Sequence, residues 1–283
     1  MTITEINKTY NRIIGSLDAL ELKNAFDHIQ GLMAGCRDYF AQDRLDELQN
    51  TYRYLLRYRM EGAKDPMQDQ IYRDLRASAY ELADAVRNRV LATDSPLAYY
   101  SRRRILRNDA SSFASLHESL SNWVAATREV RGGLEAQQNL ERDLMTLFYK
   151  IWVADALNAE ACEGIGRLLS DESLPVYVRC QVVAALTMAL QAFFDKDKLA
   201  LLFDAAEIEE PMIRARALVG ILLTLYIYSK RIELYPRIGN RLAALAERFP
   251  GLTQAIRSVT IRFILARETE KITRQMQDEI LPE

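Results

Sequence analysis

One pattern recurs three times in the second half of this chain, and it restricts the available folds more than any other feature. Val178-Arg179-Cys180-Gln181-Val182-Val183-Ala184-Ala185-Leu186 aligns with Ile213-Arg214-Ala215-Arg216-Ala217-Leu218-Val219-Gly220-Ile221 about 35 residues on. A third copy, Ile256-Arg257-Ser258-Val259-Thr260-Ile261-Arg262-Phe263-Ile264, follows after about 43 more. Each copy comes after a shorter amphipathic segment and a tight turn. A unit of this period cannot bury its apolar face alone, so neighbouring units must stack. The expected fold class is therefore all-α: an α-α superhelix, or solenoid, of antiparallel helix pairs.

The rest of the chain agrees with that expectation. Only 11 Gly and 7 Pro occur in 283 residues, which favours helices over many short strands. Leu140, Leu144, Leu147, Phe148, Ile151 and Ala154 fall at spacings of three and four and so share one helical face. Gly132-Gly133, the only double glycine, divides a region of helical pairs (1–133) from the repeat region (134–283), the two expected to be continuous. In the first region the periodicity predicts helices over 3–14, 18–34, 43–60, 66–91, 97–106 and 112–130. Asp65 suits an N-cap with Pro66 in the first turn, and Thr93-Asp94-Ser95-Pro96 repeats that logic one helix later. These pairs are compatible with a tetratricopeptide-like array, although the full signature of that repeat is missing.

Leu168-Leu169-Ser170-Asp171, followed by Val178-Arg179 and Ala184-Ala185-Leu186, resembles a HEAT repeat, in which a first helix ends in Leu-Leu, an acidic turn follows and Val-Arg opens the second helix. The later copies depart from it. Glu207 to Glu210 stands where the aspartate is expected, and Phe249-Pro250-Gly251 carries no acid. The resemblance implies that Arg179, Arg214 and Arg257 tie neighbouring repeats together rather than bind a ligand. Pro175 and Pro211 suit the first turn of the second helices. The likeness speaks to fold far more than to activity.

The short motifs that announce a phosphate loop, a nucleophile elbow or a zinc-protease helix are absent. Gly164-Ile165-Gly166 begins like a dinucleotide fingerprint, but Leu169 holds the third glycine position and no strand precedes it, so helix packing is the expected role. His28 and His117 are the only histidines, and Glu118 lies on another helix face from His117. Cys36, Cys162 and Cys180 are widely separated, which argues against a disulfide framework or a zinc site. They read as reduced core residues in a cytoplasmic protein. No catalytic residue, metal or cofactor is expected, and the chain does not read as an enzyme.

Two basic and aromatic clusters stand out, Tyr52-Arg53-Tyr54-Leu55-Leu56-Arg57-Tyr58-Arg59 and Tyr99-Tyr100-Ser101-Arg102-Arg103-Arg104-Ile105-Leu106-Arg107. Arg53 and Arg57 share a face, as do Arg103 and Arg107, while Arg102 and Arg104 point elsewhere. With Tyr99 and Tyr100 these make a candidate surface for phosphate, acidic peptide or stacked bases. The competing reading is a solvated helix surface with nearby acids. It is favoured by the near balance of 37 basic and 39 acidic residues, a net charge of -2, which gives no general drive toward nucleic acid or anionic membrane.

No signal-peptide pattern opens the chain, and the longest apolar run, 217–228, is too short to span a bilayer. The functional expectation is a non-catalytic protein-interaction scaffold with a protein or peptide partner, part of a larger protein or assembly. The alternative is a nucleic-acid binder or a DNA alkyl-base glycosylase of HEAT-like fold, with Trp123, Trp152 and the arginine clusters as pieces of its groove. At the C-terminal end, Ile261, Ile264, Leu265 and Ile272 recur at helical spacing with no polar capping repeat after them. They are expected to be covered by a following domain or a second copy, because Leu242, Leu245 and Phe249 are the only internal residues placed to shield them.

Overall fold

A computed structural model describes residues 2–34, 38–62, 66–106, 109–127 and 133–280. Among them are fourteen α-helices and no strand. The first five are α1 (Ile3–Asp18), α2 (Leu22–Met33), α3 (Tyr39–Met60), α4 (Gln68–Asp94) and α5 (Ala98–Leu106). Next come α6 (Phe113–Thr127), α7 (Gly133–Val153), α8 (Ala159–Ser170), α9 (Val176–Ala192) and α10 (Lys196–Glu207). The chain continues with α11 (Pro211–Ile227), the single turn α12 (Ser229–Ile232), α13 (Pro236–Arg248) and α14 (Leu252–Ile280).

Local chemistry sets the ends. Thr2 and Glu5 form a capping box at the start of α1, Glu5 N–H donating to Thr2 Oγ1 and Thr2 N–H to Glu5 Oε2. Asp38 opens α3, Asn158 opens α8 and Asp195 opens α10, each accepting from backbone N–H groups of the first turn. The break expected between residues 14 and 18 is displaced, because α1 runs through Gly15. The turn comes at Leu20, whose φ of 65° is left-handed. Glu21 N–H reaches Ser16 O at 2.8 Å and Leu20 N–H reaches Leu17 O at 3.3 Å, a Schellman closure made without glycine and hence without a sequence signal. Asp65, the expected cap of α4, lies outside the described residues, and α4 itself begins after Met67.

From α6 onward the helices alternate between two rows. In one, α6, α8 and α10 pack in succession; in the other, α7, α9 and α11 do so, and each helix also packs on its partner in sequence. The repeated segments at 178, 213 and 256 are the starts of α9 and α11 and part of α14. The apolar positions of the first two copies contribute to the second core, in which Val178, Val183, Leu186, Ile213 and Ala217 have no exposed surface, while the third copy adds the half-buried Ile256. Close approach is built in at Gly164 on α8, where a Cβ would lie 2.7 Å from Phe113 Cβ.

The arginines of the repeat differ in fate. Arg179 is buried. Arg214 donates from Nε to Ala206 O at 3.3 Å and stacks 4.2 Å over the Phe249 ring, joining α10 to the end of α13. Arg257 is exposed, so the tie implied for it is not made.

Helices α1 to α5 surround the first core, which also receives Val153, Phe193 and Leu234 from the ends of α7 and α9 and from the segment after α12. Because the connections are short, the helices of one row run the same way and their C-terminal ends align. The long helix α4 packs on α1, α2 and α3, and its Arg87, Asn88 and Arg89 lie beside the ends of α7 and α9. Ile261, Ile264, Leu265 and Ile272 on α14 are exposed, whereas Leu245 is buried and Leu242 and Phe249 are half-buried in the second core. No described helix is long and apolar enough to cross a membrane.

Candidate functional site

Aligned helix ends leave carbonyl groups without helical partners, and those groups attract cations. At the seam with α4 this need is met by long basic side chains. Arg87 on α4 donates from Nη1 to Ala192 O, at the last residue of α9. Lys198 on α10 donates to Ala154 O, just past α7, at 2.5 Å. Arg104 on α5 donates to Ala92 O and Ser95 O at the end of α4. Lys150 on α7 donates to Ser111 O and lies 3.8 Å from Asp109 Oδ2, pinning the segment before α6.

Between these struts a cleft of about 790 Å³ is lined by Arg89, Arg103, Arg104, Lys150 and Asp155 with the apolar Leu106 and Val153. Arg103 pairs with Asp155 and Arg89 with Asp38, and Arg103 Nη1 is buried with no hydrogen-bond acceptor. Four cations line the cleft with Asp155, and Asp38 and Asp109 pair with Arg89 and Lys150 from beside it, which leaves Arg104 as the cation of the lining without a carboxylate partner among the described residues. An adjoining cleft of about 500 Å³ shares Arg89, Arg103 and Asp155 but adds Lys196 and five acids, Asp38, Glu81, Asp84, Asp195 and Asp197, so its lining is the more acidic of the two.

Lys198 sits behind that boundary with no exposed side-chain surface, 3.8 Å from Asp195 Oδ2 and 4.7 Å over the Phe193 ring. Burial pulls its pKa down to about 8, the carboxylates of Asp195 and Asp155 opposing the shift. Further along, Asp84 on α4 and Arg231 on α12 form an ion pair at 2.5 Å, the side chains 5% and 3% exposed. The Tyr10 hydroxyl on α1 donates to the same carboxylate at 2.5 Å. This junction holds the two cores together.

The candidates drawn from sequence divide among several places. Arg53 and Arg57 lie on the exposed part of α3, where Arg53 donates to Asn50 and Arg57 pairs with Glu61. Arg53 edges a separate cleft with Lys23, Phe26, Asp27, Gln49, Tyr52 and Leu56. Tyr99 and Tyr100 are buried in the first core; Tyr100 donates to Asn88, and Tyr99 packs edge-on against Trp152. Burial raises the pKa of both phenols. Their rings brace α5 against α7 and present no aromatic wall to a ligand. Of the six, Arg103 lines the basic cleft, and Arg107 lies outside the described residues.

Arg89 and Lys150 were missed because they come from α4 and α7, and no spacing within one segment links them to α5; Arg104, inside the second cluster, was expected to point away from Arg103, yet both line the cleft. The remaining chemistry is structural. His117 Nε2 lies 2.7 Å from Asp171 Oδ2, tying α6 to the turn after α8, and the Ser173 hydroxyl followed by His117 holds that carboxyl below its usual range. Trp123 donates to Asp143 at 3.0 Å between α6 and α7. Cys162 and Cys180 are free thiols raised by burial, and Cys36 lies outside the described residues. Among the described residues no group of His, Cys, Asp and Glu is placed to hold a metal ion. Comparison with protein-family models, with curated proteins and with solved structures finds no match for this chain.

Proposed function

We propose that this chain is a non-catalytic protein-interaction scaffold, built over its second half as a HEAT-like α-solenoid, and that the basic cleft beside α5 receives an acidic segment of its partner. The observation that carries this reading is the convergence of Arg89, Arg103, Arg104 and Lys150 around a cleft of about 790 Å³ that Ala92, Leu106, Val153 and Ala154 also line. Carboxylates on an extended peptide would meet guanidinium groups already held in place, Arg104 by carbonyl groups and Arg89 and Arg103 by Asp38 and Asp155, so little side-chain freedom is lost on binding. The alternation of α6 to α11 between two rows supports the solenoid reading, since it is the packing that stacked pairs require.

The test uses the whole protein and an Arg89→Ala/Arg103→Ala variant whose helix content and melting match the parent. Partners retained from the source cell extract are identified by mass spectrometry and remeasured as purified proteins. The expected result is a saturable protein partner that the variant binds at least about tenfold more weakly, the loss of two charge-assisted contacts. Equal binding by both proteins, or a salt-dependent mobility shift with DNA or RNA in place of any protein partner, would overturn the reading.

A further inference from the structure

A separate cleft of about 300 Å³ opens where α1 and α4 meet the corner between α11 and α12. Tyr10, Tyr80 and Tyr228 supply its rings, and its charged lining is Arg87, Lys230 and Arg231 against the single carboxylate of Asp18. The hydrogen-bonding groups around it are unevenly spent. The Tyr10 hydroxyl donates to Asp84 and the Tyr80 hydroxyl to Asp18, each at 2.5 Å, so both nearby carboxylates are occupied. Arg87 is committed to Asn7 Oδ1 and Ala192 O. The Tyr235 hydroxyl donates to Glu81 and lies within reach of the Arg231 guanidinium, without meeting the geometry of a hydrogen bond to its Nε or Nη2.

What remains unspent is a set of donors. Arg231 gives only Nη1 to Asp84, while its Nε and Nη2 are buried with no hydrogen-bond acceptor. Those two N–H groups form one edge of the guanidinium, the side-on fork that fits the paired oxygens of a carboxylate or phosphate. The ring of Arg231 contacts, Tyr80 at 5.2 Å and Phe194 at 4.7 Å from the guanidinium carbon, fixes its plane. The Tyr228 hydroxyl and the Lys230 ammonium, in the same wall, make no hydrogen bond among the described residues. Buried donors without acceptors are costly and are rarely left so, and an oxyanion seated here removes that cost.

We propose that this cleft binds a small oxyanion, a phosphate or carboxylate group on a compact ligand, gripped by the free edge of Arg231 with Tyr228 and Lys230 closing over it. The volume is at the lower end of small-molecule sites, which restricts the ligand to a few heavy atoms beyond the charged group. Tyr10 and Tyr80 belong to the first core and Tyr228 packs on the second, so the ligand would sit astride the junction. The site shares no residue with the basic cleft and does not depend on the scaffold reading.

Titration calorimetry and thermal denaturation of the full chain with inorganic phosphate and, separately, succinate test this, with sodium chloride holding ionic strength constant. At least one anion should bind saturably and raise the melting temperature, and which of the two does so assigns the source of the oxyanion. Lys230→Ala and Tyr228→Phe should each weaken that binding by roughly tenfold, the loss of one charge-assisted hydrogen bond. Both variants should still fold, since Lys230 is exposed and phenylalanine keeps the ring that packs on Phe194. No binding of either anion by the parent protein, or undiminished binding by both variants, would overturn the proposal.

Discussion

A glycine inside a helix costs roughly 0.5–1 kcal/mol relative to alanine, unless a neighbour occupies the space its missing methyl would fill. Gly15 and Gly164 separate these cases. Gly15 lies exposed inside α1 with nothing near its absent Cβ, so Gly15→Ala should stabilise by about 0.5–1 kcal/mol in denaturant titration. Gly164→Ala should instead destabilise by about 1–3 kcal/mol, because Phe113 Cβ sits 2.7 Å from the new methyl and is anchored to its own backbone. Equal stabilisation by both changes would refute the close approach of α6 and α8. Sequence placed Gly15 in a break between helices and Gly164 in a packing role; the structure keeps Gly15 inside α1. Lys198 offers a second residue-level test. Its folded pKa of about 8 lies below the ordinary value of 10.5, so the folded state sheds its proton first. The cost of burying the charge is full below about pH 8 and is relieved as pH rises toward 10.5. Measured against Lys198→Met, the parent should therefore gain stability across that interval, by an amount on the order of 3 kcal/mol. A difference independent of pH would show that the ammonium is not held where its contacts place it.

Elements meet here through a few side chains whose loss should be disproportionate. Asp84→Ala leaves the Arg231 cation buried without its carboxylate and should cost about 3–5 kcal/mol, while Asp84→Leu with Arg231→Met should come much closer to the parent. A double-mutant cycle by chemical denaturation measures the coupling, and a value near zero would mean that α4 and α12 are not joined through this pair. Leu186→Asp on α9 and Ile221→Asp on α11 should each cost several kcal/mol, since both side chains are buried and a charge there has no partner. Ala215→Asp, at an exposed position on α11, is the control. The placement of these two residues was readable from the repeat, because apolar spacing along a helix reports which face is buried. Elements whose ends depend on backbone conformation were not: the stop at Leu20 and the late start of α4 leave no mark in residue type. The pairing of Asp84 with Arg231 was equally hidden, as the two stand 147 positions apart with no shared motif.

For the molecule as a whole, burial is deepest where α9 and α10 meet and falls away along α14, whose described side chains from Thr260 onward are exposed. A helix without a packed face is marginal in water, so amides beyond Thr260 should exchange with solvent far faster than those of α9. Hydrogen-exchange mass spectrometry at low and high protein concentration reads this directly, and protection like that of α9 at both concentrations would contradict the exposed placement. Fold class was legible in the sequence because repetition and helical periodicity are properties of short windows. The clefts were not, because each gathers residues from helices that only tertiary packing brings together, and of the six residues singled out Arg103 lines the basic cleft. The same packing sets the number of helix pairs. Open arrays lengthen by tandem duplication, since an added unit meets neighbours like those it had before. In this protein α4 reaches from the end of α7 to α12, and Asp84 finds Arg231 only if the intervening rows have their present width. An extra pair inserted between them would displace α12 by roughly 10 Å, one interhelical spacing, and part the two charges. The junction therefore acts as a ruler: the chain can diversify along its surfaces and loops, but gene duplication within it carries a penalty that most repeat architectures escape.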